Sequence, residues 1–176
     1  VDDDDSTVDD DDSTVGDDDD ATAAVCPGLS ASISTQADVA AYEPCTALST
    51  VYLHETTGVV DVTLPNLETV SDYVYFHINA DVATISMPVL REVAGYLYIH
   101  GNAQLTSASF PSLETVGRYL HVYNNNSLVD LNLTTSLVAV TEDTSIVGNT
   151  ALCVPALDWP NITGGNVNIS GNDTCP

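Results

Sequence analysis

Histidine, which can bind a metal ion or exchange protons near neutral pH, and tyrosine, which combines an aromatic ring with a hydroxyl group, recur in this chain with a period of 23 residues. They form three columns: Tyr52, Tyr75, Tyr98 and His121; His54, His77, His100 and Tyr123; and Tyr73, Tyr96 and Tyr119. All four histidines and seven of the eight tyrosines therefore share one register. Such a constellation could form a metal site, an acid–base site or an aromatic contact surface.

Apolar residues alternate with these columns, so each period is predicted to contain a half-buried β-strand. Leu53 and Phe76, for example, each lie between a tyrosine and a histidine. A second alternating stretch, a proline and two further apolar positions complete most periods. A repeat of this length indicates an all-β solenoid, here of about five to six 23-residue coils, in which neighbouring coils bury each other's apolar edges. The tyrosine and histidine columns would then lie on the outward side of one β-sheet.

The register also decides which chemistry the columns favour. Adjacent strands bring equivalent residues to about 4.8 Å, so His77 and His100 could share a metal ion. No carboxylate lies in the same columns to complete a ligand set, which favours an outward ladder of rings over a metal site. No Ser/His/Asp arrangement, phosphate-binding loop or carboxylate pair stands apart from the repeat, so we predict that the protein is not an enzyme.

Tyrosine is also concentrated on this face beyond what β-propensity requires. The second alternating stretch uses Thr, Ser, Asp and Asn at its outward positions, although aromatic residues would suit a strand equally well. Tyrosine supplies a large amphipathic contact area at a low cost in side-chain entropy. The sequence therefore predicts that this face binds a partner, either a protein or a glycan.

An asparagine column follows the strands and divides the glycosylation sequons into two groups. The column consists of Asn79, Asn102, Asn125, Asn149 and Asn172. An inward asparagine at a corner can satisfy the polar atoms of a turn but cannot carry a glycan. Glycosylation is therefore predicted at the sequons outside this column, which are Asn132 and Asn168 in outward positions and Asn161 in a loop.

Residues 1–25 are predicted to be an acidic tail, separate from a folded domain at residues 26–176. The tail contains twelve of the chain's 26 acidic residues and no cation. These acids are Asp2, Asp3, Asp4, Asp5, Asp9, Asp10, Asp11, Asp12, Asp17, Asp18, Asp19 and Asp20. Such a segment cannot bury enough apolar surface to offset its ordering entropy, so a solvated linker is the simplest interpretation. Calcium binding by the aspartates and docking on a neighbouring subunit are two further hypotheses, although the spacing is not that of an EF-hand loop.

The charge balance excludes two classes of partner. The remaining fourteen acids are accompanied only by Arg91 and Arg118, and the formal net charge of the chain is -24. Without a basic patch, binding to nucleic acid or to an anionic membrane surface is not expected. No run of about 18 apolar residues exists, so no membrane span is predicted either.

The four cysteines lie in two pairs, one near each end of the predicted domain. Cys26–Cys45 and Cys153–Cys175 are the simplest disulfides, and the second two cysteines are nearly one coil apart. Disulfides indicate an oxidising compartment, and a chain that begins at Val1 is consistent with a processed secretory precursor. Between the first two cysteines, Thr35 is predicted to cap a short helix at residues 36–42 that covers the open edge of the first coil.

The chain resembles the receptor L-domain family, found in insulin- and EGF-type receptors and in fungal cell-wall proteins. The matching segments are CPGLSASI from Cys26, CTALSTVYL from Cys45, GYLYIHGNAQLTSASFPSLETV from Gly95 and GNTALC from Gly148. The resemblance covers roughly residues 26–176. It implies a right-handed β-helical fold and an extracellular location, with protein ligands in the receptors and a structural role in the cell-wall relatives.

Two functions are consistent with these observations. The first is a non-enzymatic structural or adhesive protein of the cell exterior, a filament or surface-layer subunit that self-associates through the tyrosine and histidine face and the acidic tail. The second is a soluble or surface-displayed recognition module that binds a glycan or an extracellular protein through the same face. In either case no cofactor other than calcium is expected.

Overall fold

The computed structural model describes residue 26 and residues 28–133, 136–154 and 158–174, which form a β-solenoid of about six turns, as the repeat predicted. In this part of the chain the elements are β1 (Ser30–Ser32), α1 (Gln36–Tyr42), β2 (Ala47–His54), β3 (Asp61–Thr63), β4 (Thr69–His77), β5 (Thr84–Ser86), β6 (Glu92–Val93), β7 (Leu97–His100), β8 (Ser107–Phe110), β9 (Thr115–Val116), β10 (Leu120–Tyr123), β11 (Asp130–Leu133), β12 (Ala139–Val140), β13 (Thr144–Val147), α2 (Trp159–Ile162) and β14 (Val167–Ser170).

The strands of successive coils form three parallel ladders, and the main ladder contains more strands than the other two. The main ladder joins β1, the ends of β2 and β4, and then β7, β10, β13 and β14. The second ladder joins β3, β5, β8 and β11. The third is short, with the beginnings of β2 and β4 followed by β6, β9 and β12. The main ladder pairs Tyr52 with Tyr75 and Tyr75 with Tyr98, so it holds the aromatic columns in register.

The apolar side of each strand from β1 to β13 is buried in the solenoid, whereas β14 at the far end is exposed along its length. In β2 and β4 the alternation places Val51, Leu53, Val74 and Phe76 at 0% exposure, with half-exposed residues between them. Paired residues of β8 and β11 are 23 positions apart in the sequence, whereas paired residues of β9 and β12 are 24 positions apart. One residue is therefore inserted between β11 and β12, as predicted. The core is therefore one continuous column that runs the length of the coils.

A ladder of buried asparagines forms one corner of the solenoid, as the sequence predicted. Asn79, Asn102, Asn125 and Asn149 are each fully buried. The backbone N–H and the side-chain Nδ2 of each one donate to Oδ1 of the asparagine in the next coil, at distances of 2.9–3.2 Å. Nδ2 also donates to a main-ladder carbonyl, that of Phe76 in the case of Asn102. The ladder thus satisfies the polar atoms of successive corners and fixes one coil against the next.

The first coil is closed in the predicted way. Thr35 caps α1 with a capping box, in which Asp38 N–H donates to Thr35 Oγ1 and Thr35 N–H donates to Asp38 Oδ2. The backbone N–H groups of Ser34 and Thr35 both donate to Asp38 Oδ2 and hold the pKa of this carboxyl below its ordinary value. Cys26 and Cys45 form the predicted disulfide. At the other end Cys153 is disulfide-bonded, and its predicted partner Cys175 lies outside the described residues.

The residue that follows each main-ladder strand after β1 adopts a left-handed backbone conformation. These residues are Glu55, Ile78, Gly101, Asn124, Gly148 and Gly171, with φ between +51° and +71°. Glycine and asparagine tolerate this conformation, whereas a β-branched side chain does so at a cost of about 1–2 kcal/mol. Ile78 is therefore a strained position in an otherwise regular column.

Replacing Ile78 is expected to stabilise the protein. Ile78→Gly should raise the free energy of unfolding by up to about 1 kcal/mol, because relief of strain exceeds the added entropy of the unfolded chain. Urea denaturation would measure the change. Val60→Gly is the control, since Val60 has a similar exposure, 45% against 47%, but no positive φ, and it should lose stability. Equal losses in both variants would contradict the strain at Ile78.

Candidate contact surface

The predicted tyrosine and histidine columns lie together on the outward side of the main ladder, and we refer to these residues as the aromatic face. The face consists of Tyr52, His54, Tyr73, Tyr75, His77, Tyr96, Tyr98, His100, Tyr119, His121 and Tyr123. All of them are half-buried. Their positions follow directly from the parallel register, because each strand places the same residue position above its counterpart in the preceding coil.

The rings stack in parallel through the first three coils. Tyr52 and Tyr75 have ring centroids 5.3 Å apart, and Tyr75 and Tyr98 are 5.0 Å apart, with interplanar angles of 6° and 10°. Tyr73 and Tyr96 stack in the same way at 5.0 Å and 4°. Because the rings cover each other's faces, these columns present mainly ring edges and hydroxyl groups to the outside.

Parallel stacking ends at the fourth coil, where the residue types change. His121 meets Tyr98 in a T-shaped contact, with a centroid distance of 6.3 Å and an angle of 62°. Tyr119, which follows Tyr96 in its column, packs instead against His121, with their ring centroids 5.2 Å apart. The guanidinium of Arg118 lies over the ring of Tyr119, 5.4 Å from the centroid, and pairs with Glu142 at 3.3 Å.

A depression of about 350 Å³ opens at this break in the stacking, and we call it the aromatic notch. Its lining residues are Tyr75, Tyr96, Tyr98, Arg118, Tyr119 and His121. Sequence reasoning found the aromatic members but missed the role of Arg118 and of its partner Glu142. The position of Arg118 in the repeat could have identified it, because it directly precedes a tyrosine of the face. The two preceding coils have Asp72 and Gly95 at the equivalent position.

The tyrosines of the notch are neutral hydrogen-bonding groups. Burial raises the pKa of Tyr75, Tyr96 and Tyr98 above the ordinary value of 10.0. Hydrogen bonding to Glu142 raises the pKa of Tyr119 as well. At neutral pH the notch therefore offers phenol hydroxyls, which can both donate and accept hydrogen bonds.

The histidine column forms a second parallel stack, with ring centroids 4.9 Å apart between His54 and His77 and between His77 and His100. The Nδ1 atoms of His77 and His100 are buried and have no hydrogen-bond partner. Imidazole nitrogens bind metals in the plane of the ring, so parallel rings direct them side by side rather than toward one ion. Among the described residues no group of three or more His, Cys, Asp or Glu side chains is placed to hold a metal ion.

The environment of these histidines disfavours their charged form. Burial and the neighbouring imidazoles of His100 and His54 lower the pKa of His77, and the nearby carboxylate of Glu55 opposes the shift only in part. Burial also lowers the pKa of His100 and of His121, and in the latter case Asp143 opposes it. A proton on Nδ1 of His77 or His100 would occupy a buried position without an acceptor.

We therefore expect the stability of the protein to fall below neutral pH. The ordinary histidine pKa is 6.5, so the unfolded chain takes up protons first as the pH drops, and the free energy of unfolding declines from pH 6.5 down to the lowered pKa values of the folded state. Urea denaturation between pH 5 and pH 8 at constant ionic strength measures this slope. The double variant His77→Phe/His100→Phe should reduce it, whereas Tyr75→Phe should not. An unchanged slope in the double variant would contradict the assignment.

The remaining predicted sites have mixed outcomes. The aspartates between Asp2 and Asp20 lie outside the described residues, so calcium binding there stays a prediction. Asn132 faces outward but is half-buried, with Nδ2 3.4 Å from Ser109 Oγ, and Asn168 is exposed. Asn161 is exposed, but its predicted loop position was wrong: the residue lies in α2, where Nδ2 donates to Asp158 Oδ2. Trp159, the first residue of α2, is buried. A helix of one turn is too short to produce a periodic pattern of apolar residues in the sequence.

Comparisons of the chain with protein-family models, with curated proteins and with solved structures found no match. The resemblance to receptor L-domains therefore stays a prediction. Neither α1 nor α2, the helices of the part that the structure describes, has the length and apolar character needed to cross a membrane.

Proposed function

We propose that this protein is a non-enzymatic adhesive or structural protein of the cell exterior, and that its aromatic face is the surface through which it binds a partner. One observation carries the proposal: eleven tyrosine and histidine side chains form a single half-buried surface on one side of a rigid solenoid. Contiguous aromatic surface of this kind is enriched at protein interfaces, where tyrosine combines an apolar ring with a polar tip.

The proposed location outside the cell is supported by two features. The Cys26–Cys45 disulfide is of a kind that persists in oxidising compartments. A net charge of -24 repels anionic polymers and membranes, and it would be screened by the cations of an exterior medium.

We assign no catalytic role to the histidines, because the stack leaves them poorly suited to acid–base chemistry. Three of the four histidines have a lowered pKa, and each histidine contacts another ring of the face. A contact role is compatible with these same features, since a neutral ring is desolvated at an interface at a lower cost than a charged one.

Self-association is the first form of this function to test. Light scattering of the full chain, with and without calcium, should detect assemblies that Tyr52→Ala/Tyr75→Ala disrupts. Val129→Ala is the control, because Val129 is 59% exposed but lies outside the aromatic face. A protein that stays monomeric under every condition and binds no other partner through Tyr52 or Tyr75 would reject the proposal.

A recognition module for a glycan or an extracellular protein is the second candidate. The aromatic notch favours it specifically, since the depression interrupts the stacked columns instead of continuing them. In this case the protein would be a monomer whose partner binds at the fourth coil.

A further inference from the structure

We infer that the aromatic notch binds one neutral pyranose unit of an oligosaccharide, which stacks on Tyr96 and Tyr98 and forms hydrogen bonds with Arg118 and Glu142. The inference rests on the proposed role of the aromatic face as a contact surface, and it names the ligand class of one part of that face.

The stacks of tyrosine rings end at Tyr96 and Tyr98. Tyr73 covers one face of Tyr96, and Tyr75 covers one face of Tyr98, each at 5.0 Å. The fourth coil meets Tyr98 with T-shaped contacts from His121 and Tyr123 and places no parallel ring against it. The notch is therefore lined by aromatic surface that the protein does not itself cover by stacking. The axial C–H groups of a pyranose form an apolar, weakly positive face that complements the negative face of such a ring.

Two polar side chains lie beside these rings: Arg118, which lines the notch, and its partner Glu142. Arg118 and Glu142 remain partly exposed, with 54% and 39% of their side chains accessible, although they pair with each other. The guanidinium offers several donors in one plane, and the carboxylate offers acceptors next to it. Adjacent hydroxyl groups of a sugar ring each donate and accept, so such a pair can bind them without a separate counter-ion. The neutral phenols of Tyr96 and Tyr98 add further donors.

The charge and the size of the notch limit the ligands that it can bind. The negative charge of Glu142 balances the positive charge of Arg118. Asp72 lies near enough to Tyr96 to affect the pKa of its hydroxyl, and Asp143 lies near enough to His121 to affect the pKa of its imidazole. The surroundings are thus net negative, which disfavours a uronic acid, a sulfated sugar or a phosphate. A volume of about 350 Å³ is near the lower limit for small-molecule sites and is suited to one or two sugar rings.

The experiment titrates the full chain with cellohexaose, laminarihexaose, chitohexaose and, as an anionic comparison, hexagalacturonate. Calorimetry gives the affinity, and NMR of ring-labelled tyrosine identifies the contacts. At least one neutral hexasaccharide should bind and shift the signals of Tyr96, Tyr98 and Tyr119. Truncation of a buried aromatic contact typically costs about tenfold or more in affinity, and we expect this loss for Tyr96→Ala and for Tyr98→Ala. Tyr96→Phe should retain most of the affinity because it keeps the ring face.

Two controls separate the notch from the rest of the chain. Val129→Ala changes an exposed residue outside the aromatic face, and Tyr42→Phe alters the tyrosine of α1, whose hydroxyl donates to the carbonyl of Ser30; both variants should bind as the parent does. Failure of all neutral hexasaccharides to bind at millimolar concentration would overturn the inference. So would tighter binding of hexagalacturonate, or equal losses for Val129→Ala and Tyr98→Ala. If these results occur while assembly still depends on Tyr52 and Tyr75, the sugar inference fails alone and the proposed function stands.

Discussion

Gly95→Ala is expected to lower the free energy of unfolding by roughly 3 kcal/mol or more. A Cβ added at Gly95 would overlap the backbone carbonyl oxygen of Asp72 in the preceding coil, and a backbone atom in a regular ladder cannot move aside as a flexible side chain can. Gly117 stands in the same relation to the carbonyl of Ala94. Urea denaturation of Gly95→Ala and Gly117→Ala would measure both losses.

Two other glycines isolate the cause of this effect. Gly28 has no atom within 4 Å of an added Cβ and no positive φ, so Gly28→Ala should change stability little. Gly58 also has open space but a φ of +77°, so Gly58→Ala should cost about 1 kcal/mol from backbone strain alone. If Gly95→Ala lost no more than Gly58→Ala, the close approach of the coils would not be the determinant.

This corner matters for the contact surface because it sets the start of the main-ladder strand. Gly95 immediately precedes Tyr96, and Arg118 N–H donates to the carbonyl of Gly95 at 2.8 Å. A backbone displacement at Gly95 would therefore shift Tyr96 and Arg118 together. We expect Gly95→Ala to perturb the notch even under conditions where most molecules remain folded.

The repeat in the sequence predicted the strands, their buried faces and the asparagine corner because each depends on a local pattern repeated several times. An alternating segment such as Val74 to His77 has one satisfactory orientation, with Phe76 inside and Tyr75 outside. The helix that begins after Thr35 was predicted as well, since its capping signal is local. The handedness implied by the receptor L-domain resemblance stays a prediction.

Features that depend on the contact between unlike coils could not be predicted in the same way. The strain at Ile78 can be recognised only once the residues at this position of the repeat are known to have a left-handed backbone conformation. Isoleucine by itself indicates a strand. The notch arises where the next coil has His121 in place of a tyrosine in the column of Tyr98. Its shape depends on the side-chain conformations of Tyr119, Arg118 and Glu142. Sequence periodicity fixes which residues are neighbours but not how their rings are tilted.

Asn102→Ala is expected to reduce the free energy of unfolding by on the order of 4 kcal/mol, which would be the largest loss among the variants considered. Asn102 is fully buried, and its Oδ1 accepts from the backbone N–H and from Nδ2 of Asn79. Its own Nδ2 donates to the carbonyl of Phe76 and to Oδ1 of Asn125. Removal of the amide leaves several buried donors and acceptors unpaired and opens a cavity.

Asn66→Ala provides the matched control for this loss. Asn66 is exposed, and its Nδ2 makes a hydrogen bond to the carbonyl of Glu43, so its removal should cost no more than about 1 kcal/mol. Thermal and urea denaturation of both variants would compare them directly. Similar losses at the two positions would show that the contribution of Asn102 to the free energy of unfolding does not depend on its burial in the ladder.

Asn102→Asp then distinguishes the hydrogen bonds from the volume of the side chain. The carboxylate keeps the shape and the acceptors but lacks the donor to Phe76, and burial should raise its pKa above the unfolded value of about 3.9. A raised folded pKa means that stability is retained at low pH and lost as the pH rises through that pKa. The deficit of Asn102→Asp relative to the parent should therefore grow toward neutral pH, opposite to the histidine effect, whereas the deficit of Asn102→Ala should not. A deficit of Asn102→Asp that does not change with pH would show that the loss comes from packing and not from the polar ladder.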